Sequence, residues 1–98
     1  MNEENFREWL KQRYSRKVVS DNISRLKKII RTIADVDAEY NKDHCRYLLS
    51  LFDNLGDNAE MKRFNTNLPV GSSSIRCYKY ALTCYIRFRE ESEEIGND

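Results

Sequence analysis

Apolar residues recur at helical spacing in the first third of the chain. Near the amino terminus they lie three and four positions apart, at Phe6, Trp9 and Leu10. The following segment has the most regular pattern, with steps of four and three between Val19, Ile23, Leu26, Ile30 and Ile33. Because a strand would need a period of two, these patterns predict one helix over about 3–13 and a second over about 15–34.

A third helix is predicted over about 42–55, where leucines and Phe52 fall on one face. The acidic segment before it, 35–41, is interpreted as a connection. Gly56 is expected to end the third helix as a left-handed cap. The segment 56–71 is then a long connection, and a loop of this length in a small domain is uncommon and often functional.

The last helix is predicted to begin after three serines, at 72–74, and to run to about residue 91. Any of these hydroxyls can cap a helix amino terminus. The predicted fold is therefore all-α, a bundle of four to five helices. With 98 residues the chain is expected to form one domain over 1–91, followed by an acidic tail or interdomain linker over 92–98.

The net charge of +1 conceals a strong segregation along the chain. The second helix region, 14–34, carries six bases and one acid, and 61–89 carries six bases and no acid. By contrast, 35–60 carries two bases and seven acids, and 90–98 carries five acids and no base. Two basic helices thus alternate with two acidic stretches.

Both basic helices combine cations with small hydroxyls away from their apolar faces. On the second helix and at its start these are Ser15, Arg16, Lys17, Ser20, Ser24, Lys27, Lys28 and Arg31. On the last helix and at its start they are Ser73, Arg76, Lys79 and Thr83, with Tyr80 and Arg87 on the same side, and the loop adds Lys62 and Arg63. Hydroxyls approach phosphates closely, and arginine bonds phosphates or base edges in bidentate fashion. This pattern favours duplex DNA as the partner, although ordinary solvated helix faces are the alternative.

The residues that usually carry catalysis do not form a recognisable site in the sequence. His44 is the single histidine, and its neighbour Cys45 would point in another direction on a helix. Cys77 and Cys84 are separated by roughly 10 Å along a helix, do not match a metal-binding spacing, and are expected to be core or boundary residues. We therefore expect no catalytic residue, no cofactor and no metal site in this domain.

Three cysteines at wide spacing do not suggest a disulfide framework, which indicates a reducing, cytoplasmic compartment. Neither a secretory signal nor a transmembrane run is recognisable. The alternating acids Asp35, Asp37 and Glu39 lack the glycine and the further ligands of a calcium loop, so they are interpreted as capping and turn residues.

The order of these features resembles the amino-terminal, SAM-like core-binding domain of tyrosine recombinases and phage integrases. The resemblance covers about 3–89 and is carried by degenerate motifs: F-x-x-W-L from Phe6, L-L-x-L-F from Leu48, and S-S-S-I-R-C-Y-K-Y-A-L-T-C-Y-I-R-F from Ser72. The resemblance implies an orthogonal bundle whose second and last helices face duplex DNA. By position, Ser15, Arg16, Lys17 and Ser20 match the phosphate-contacting helix start, and Ser73, Arg76, Lys79 and Thr83 match the groove-facing side of the last helix.

The sequence departs from that family at Val19, where threonine is frequent, and in its long 56–71 loop. The resemblance implies that catalysis belongs to a carboxy-terminal domain missing from this chain, and the domain alone is expected to be a monomer. Two alternatives stay open. One is a helical protein-interaction module, which an unbroken exposed apolar patch would favour, and the other is the amino-terminal domain of a nuclease or other effector. A small enzyme is a weaker option, because convergent polar residues are lacking.

Overall fold

The computed structural model describes residues 1–96 of the chain. The α-helices are α1 (Glu3–Lys11), α2 (Arg16–Thr32), α3 (Val36–Asp43), α4 (Arg46–Ser50) and α5 (Ile75–Gly96). Two short 3-10 helices, Asp53–Gly56 and Met61–Arg63, lie between α4 and α5. No strand occurs in this part of the chain, so the predicted all-α bundle is confirmed. None of these helices combines the length and the hydropathy that crossing a membrane requires.

The core is built around α2 and α5, which form the most extensive helix pair, and α1 packs against both. The predicted apolar face of α2 is buried at Val19, Ile23 and Leu26. Further along, Ile29 is fully buried, whereas Ile30 is only partly buried. Ile29 widens the predicted apolar face, and the structure buries it, whereas Ile30 and Ile33 lie at the edge of the core.

The predicted acidic connection over 35–41 is wrong, because this segment forms most of α3. Asp35 is its N-cap, and the Asp35 carboxylate accepts the backbone N–H of Asp37 at 3.0 Å. The role of a capping acid predicted for Asp35 is thus confirmed. Val36 and Tyr40, four residues apart, are both buried against the core. The composition of this segment suggested a loop, but burial of the two apolar side chains stabilises it as a helix.

The predicted third helix over 42–55 is also wrong, because the chain breaks between α3 and α4. His44 and Cys45 adopt left-handed backbone conformations, with φ of 56° and 64°. Two such residues in succession cannot continue a right-handed helix. The thiol of Cys45 donates to the carbonyl oxygen of Val36 at 3.5 Å, and its side chain is fully buried, which helps hold the break in place.

The long connection after Gly56 is an ordered segment pinned by one side chain. Nδ2 of Asn58 donates to the carbonyl oxygens of Leu51 and Asp53, at 3.0 and 2.9 Å. Oδ1 of Asn58 accepts the backbone N–H of Met61 at 2.9 Å, and Met61 itself is buried. A loop of this length is therefore tied to the bundle by hydrogen bonds and an apolar anchor.

Helix α5 continues to Gly96, beyond the end predicted near Glu91. The carboxylate of Glu91 forms an ion pair with Arg13 at 2.9 Å, and Glu93 accepts the Tyr40 hydroxyl at 3.0 Å. These contacts, with α3 and with the turn between α1 and α2, explain why an acidic, apolar-poor segment stays helical. The predicted tail is thus helical over most of its length, and its last two residues lie outside the described part of the chain.

Candidate nucleic-acid interface

The predicted cations divide into two groups by their partners. Four form ion pairs with nearby acids: Lys17 with Asp21 at 3.7 Å, Lys27 with Glu3 at 2.6 Å, Lys62 with Asp57 at 3.6 Å, and Arg63 with Glu60 at 3.0 Å. The remaining five have no carboxylate within 4 Å among the described residues: Arg16, Lys28, Arg31, Arg76 and Lys79. The second group is the better candidate for an external anion, because its charge is not already neutralised.

The predicted hydroxyls also fall into two groups, those bonded within the protein and those on exposed residues. Ser15 caps α2, where its Oγ accepts the N–H of Val18 at 3.4 Å, and the Thr83 hydroxyl donates to the carbonyl oxygen of Lys79 at 2.9 Å. Ser20, Ser24 and Ser73 are exposed. The N-cap predicted for Ser15 is confirmed, so its hydroxyl is engaged in the fold itself.

An open groove of about 370 Å³ lies between α2 and α5, and we name it the α2–α5 groove. Its lining residues are Val18, Asp21, Asn22, Arg25, Arg76, Cys77 and Tyr80. The predicted residue Arg76 thus lies with Arg25, which the sequence analysis missed. Neither arginine has a carboxylate within 4 Å in the described part of the chain. The single acid of the groove, Asp21, pairs with Lys17.

A signal for Arg25 was present in the sequence. Val18, Asp21, Arg25 and Lys28 follow one another in steps of three, four and three, which places them on a third face of α2, between the core and the outer side. The structure directs this face towards α5. Lys28, one turn beyond Arg25, lies 5.9 Å from the ring centroid of Tyr78. Lys28 also donates to the carbonyl oxygen of Asn67 at 3.2 Å, which bridges α2 to the loop.

The rim of the α2–α5 groove carries an exposed aromatic ring and an exposed thiol. Tyr80 is 46% exposed, and its hydroxyl donates to the hydroxyl of Tyr14 at 2.8 Å. This hydrogen bond, together with burial, raises the pKa of Tyr14, so the Tyr14 phenol stays protonated at neutral pH. Cys84 is buried as predicted, but Cys77 is exposed, so its prediction as a core or boundary residue is wrong. Cys77 is exposed because it faces the groove instead of the core.

A second groove, of about 450 Å³, lies between α1 and the start of α2. It contains the predicted residues Arg16 and Ser20, and Arg7 and Lys11, which the sequence analysis missed. Arg7 and Lys11 form ion pairs with acids of their own helix, at 3.0 and 3.1 Å. Tyr14 lines this groove and contacts Tyr80 of the α2–α5 groove. The two grooves therefore adjoin at the tyrosine pair.

The other predicted residues are not gathered at these two grooves. Lys79 lines a depression of about 310 Å³ with Arg76 against the 3-10 helix after α4. The lining of the two main grooves does not include Ser24, Lys27, Arg31, Lys62 or Arg63. Of the predicted residues, the structure thus brings Arg16, Ser20 and Arg76 to the two main grooves, in the amino-terminal halves of α2 and α5.

The pair His44 and Cys45 does not have the environment of a nucleophilic site. Burial, reinforced by the carboxylates of Asp43 and Glu39, raises the pKa of the Cys45 thiol to about 12. The imidazole of His44 stacks on the ring of Tyr40, with 4.5 Å between centroids. Cys45 is therefore a protonated, buried thiol at neutral pH.

Comparison of the chain with protein-family models, curated proteins and solved structures finds no match. The resemblance to recombinase core-binding domains therefore stays a prediction from sequence, and functional inference rests on the two grooves and their charges.

Proposed function

We propose that this domain is a non-catalytic DNA-binding module that contacts duplex DNA mainly through phosphates, with α2 and α5. The observation that carries the proposal is the meeting of Arg25 and Arg76, from two helices, at one groove without a carboxylate partner. Arginine presents a planar set of donors that matches a phosphate in bidentate fashion. Two arginines on different helices can hold phosphates at a defined separation, because α2 and α5 are packed together.

The surroundings of the groove favour a polyanion. Lys28 extends the basic surface along α2, and Lys79 extends it along α5. Arg16, on the far side of the Tyr14–Tyr80 contact, adds a further cation in the adjoining groove. Phosphate contacts of this kind position a protein on DNA without reading its sequence. The segregated charge, rather than the near-neutral total, is therefore the relevant property of the chain.

The sequence resemblance supports the same two helices as the DNA-facing ones. Under this proposal a carboxy-terminal catalytic domain of a recombinase, or of a nuclease or other effector, would supply the chemistry. The role of Ser15 is revised, since its hydroxyl caps α2; a phosphate at this point would meet Arg16 and the exposed Ser20 instead.

The protein-interaction alternative depends on an exposed apolar patch. Among residues 1–93, whose side-chain burial the structure describes, the exposed large apolar side chains are Val70 and Tyr80, at 38% and 46%. Single exposed apolar residues are normal on protein surfaces. The surface therefore favours the electrostatic function.

Titration of a labelled DNA duplex by fluorescence anisotropy, at a series of salt concentrations, tests the proposal. The logarithm of the affinity should fall linearly with the logarithm of the salt concentration. Arg25→Ala and Arg76→Ala should each weaken binding severalfold and reduce the slope by about one. Arg46→Ala is the matched control, because Arg46 is an exposed arginine on α4 outside both grooves.

Absence of duplex binding, or binding that does not respond to salt, would refute the proposal. Equal losses in Arg46→Ala and Arg25→Ala would place the binding outside the α2–α5 groove. Thermal unfolding of each variant shows that a loss of affinity does not come from a loss of fold.

A further inference from the structure

The floor of the α2–α5 groove contains an incompletely bonded amide. Asn22 is 1% exposed and is the single polar residue among those buried in the described part of the chain. Its Nδ2 donates to Sγ of Cys84 over 4.0 Å, a long bond to a weak acceptor. Its Oδ1 accepts no hydrogen bond from any described residue. This oxygen is not among the fully buried atoms without a partner, so a hydrogen-bond donor in the groove, whether water or a ligand, can reach it.

The orientation of the Asn22 amide is linked to the rim of the groove. The thiol of Cys84 donates to the hydroxyl of Tyr14 at 3.8 Å, and the hydroxyl of Tyr80 donates to the same oxygen. One chain of hydrogen bonds therefore runs from the floor of the groove to its exposed ring. Because Nδ2 is bonded to Cys84, Oδ1 is the amide atom left for another partner. The ring of Tyr80 is also held in place, since its hydroxyl is bonded to Tyr14 in the turn between α1 and α2.

The groove combines three features that few ligands require together. It offers a hydrogen-bond acceptor at its floor, an aromatic ring whose hydroxyl is bonded to Tyr14, and two arginines without carboxylate partners. A phosphate alone needs the arginines but neither the ring nor the amide. A nucleotide needs all three, because its base stacks on aromatic rings and its phosphate binds cations. The groove volume of about 370 Å³ lies within the range of roughly 300–1,000 Å³ typical of small-molecule sites.

We propose that the α2–α5 groove accepts one unpaired nucleobase that carries an exocyclic amino group. The base lies against the ring of Tyr80, its amino group donates to Oδ1 of Asn22, and the flanking phosphates meet Arg25 and Arg76. This inference rests on the proposed DNA-binding function and adds a preference for DNA with an extrahelical base. Adenine, cytosine and guanine have an exocyclic amino group and thymine does not, so thymine is the disfavoured base.

Anisotropy titrations with three labelled DNAs test the inference: a perfect duplex, the same duplex with one unpaired adenine, and the same duplex with one unpaired thymine. The adenine DNA should bind about tenfold more tightly than the perfect duplex, since one base gains a stacking partner. Tyr80→Leu should abolish this preference, and Tyr80→Phe, which keeps the ring but loses its bond to Tyr14, should keep part of it. Asn22→Ala should reduce the difference in affinity between the adenine DNA and the thymine DNA.

The outcomes separate this inference from the proposed function. Equal affinity for all three DNAs, with a normal salt slope, overturns the nucleobase site and leaves duplex binding intact. A preference for the adenine DNA that survives Tyr80→Leu also overturns it. Failure to bind any of the DNAs overturns both proposals. Because Asn22 is buried, its variant is checked by thermal unfolding, and the exposed position of Tyr80 provides the independent test if Asn22→Ala does not fold.

Discussion

Asp37 links the amino terminus to α5, and its replacement by asparagine provides a sharp test of the packing. Its carboxylate accepts from the amino-terminal ammonium group at 2.7 Å, from Nη1 of Arg89 at 2.5 Å, and from the hydroxyl of Tyr85. Burial by itself would raise the pKa of Asp37, but the bonds from the ammonium group and Tyr85 outweigh it and lower the pKa. The charged form of Asp37 therefore stabilises the folded state.

The size of the effect follows from the number and exposure of these contacts. A hydrogen bond to a charged group contributes roughly 1.5–3 kcal/mol, and bonds that share one acceptor do not add fully. The side chain of Asp37 is 30% exposed, so solvent weakens the pairs further. Asp37→Asn keeps the shape of the side chain and removes its charge, and it should lower the free energy of unfolding by about 2–3 kcal/mol. For a domain of this size that corresponds to a fall in Tm of roughly 10–20 °C.

Thermal and urea unfolding, followed by circular dichroism on a chain that begins at Met1, measure this loss. Asp35→Asn is the matched control: it makes the same change two residues earlier, and asparagine caps a helix as well as aspartate does. Since the pKa of Asp37 is lower in the folded state, its stabilisation is complete above the unfolded value near 3.8. The stabilisation is lost as pH falls through the folded pKa. The advantage of wild type over Asp37→Asn should therefore shrink below about pH 4. Equal Tm values for the two variants, or a difference that does not change in acid, would refute this reasoning.

Three further predictions concern the loop, the start of α2 and the thiols. Asn58→Ala removes three hydrogen bonds that pin the long loop and should lower the free energy of unfolding by about 1–3 kcal/mol in urea titrations; a wild-type value would contradict the pinning role. Ser15→Ala should lower the free energy of unfolding by about 1 kcal/mol because the N-cap is lost, and Ser15→Asp should restore it. The salt dependence of DNA binding by Ser15→Ala should equal that of wild type, whereas a smaller slope would indicate that Ser15 contacts a phosphate directly. In a thiol assay with a chromogenic disulfide, the exposed Cys77 should react fast, and Cys45 and Cys84 should react slowly because burial raises the pKa of both thiols. Bound DNA should slow the reaction of Cys77, and an unchanged rate would argue against occupation of the groove.

The sequence predicted α1, α2 and the beginning of α5 well, because each buries one continuous apolar face. Residues such as Val19, Ile23 and Leu26 must then recur at the helical period, whatever the partner helix is. The prediction failed for α3, whose apolar face is only Val36 and Tyr40. It also failed at His44 and Cys45, since left-handed conformations of non-glycine residues have no dependable local signal. These segments take their conformation from packing against the rest of the bundle.

The sequence by itself determined the all-α class and the segregation of charge onto two helices, since both follow from the linear order of residue types. Only the tertiary structure decided which side chains share a groove. Arg25 and Asn22 lie on the side of α2 that faces α5, and their nearness to Arg76 and Tyr80 depends on how the two helices pack. Helix packing is set by contacts between residues distant in the chain, so a periodicity within one helix cannot specify it.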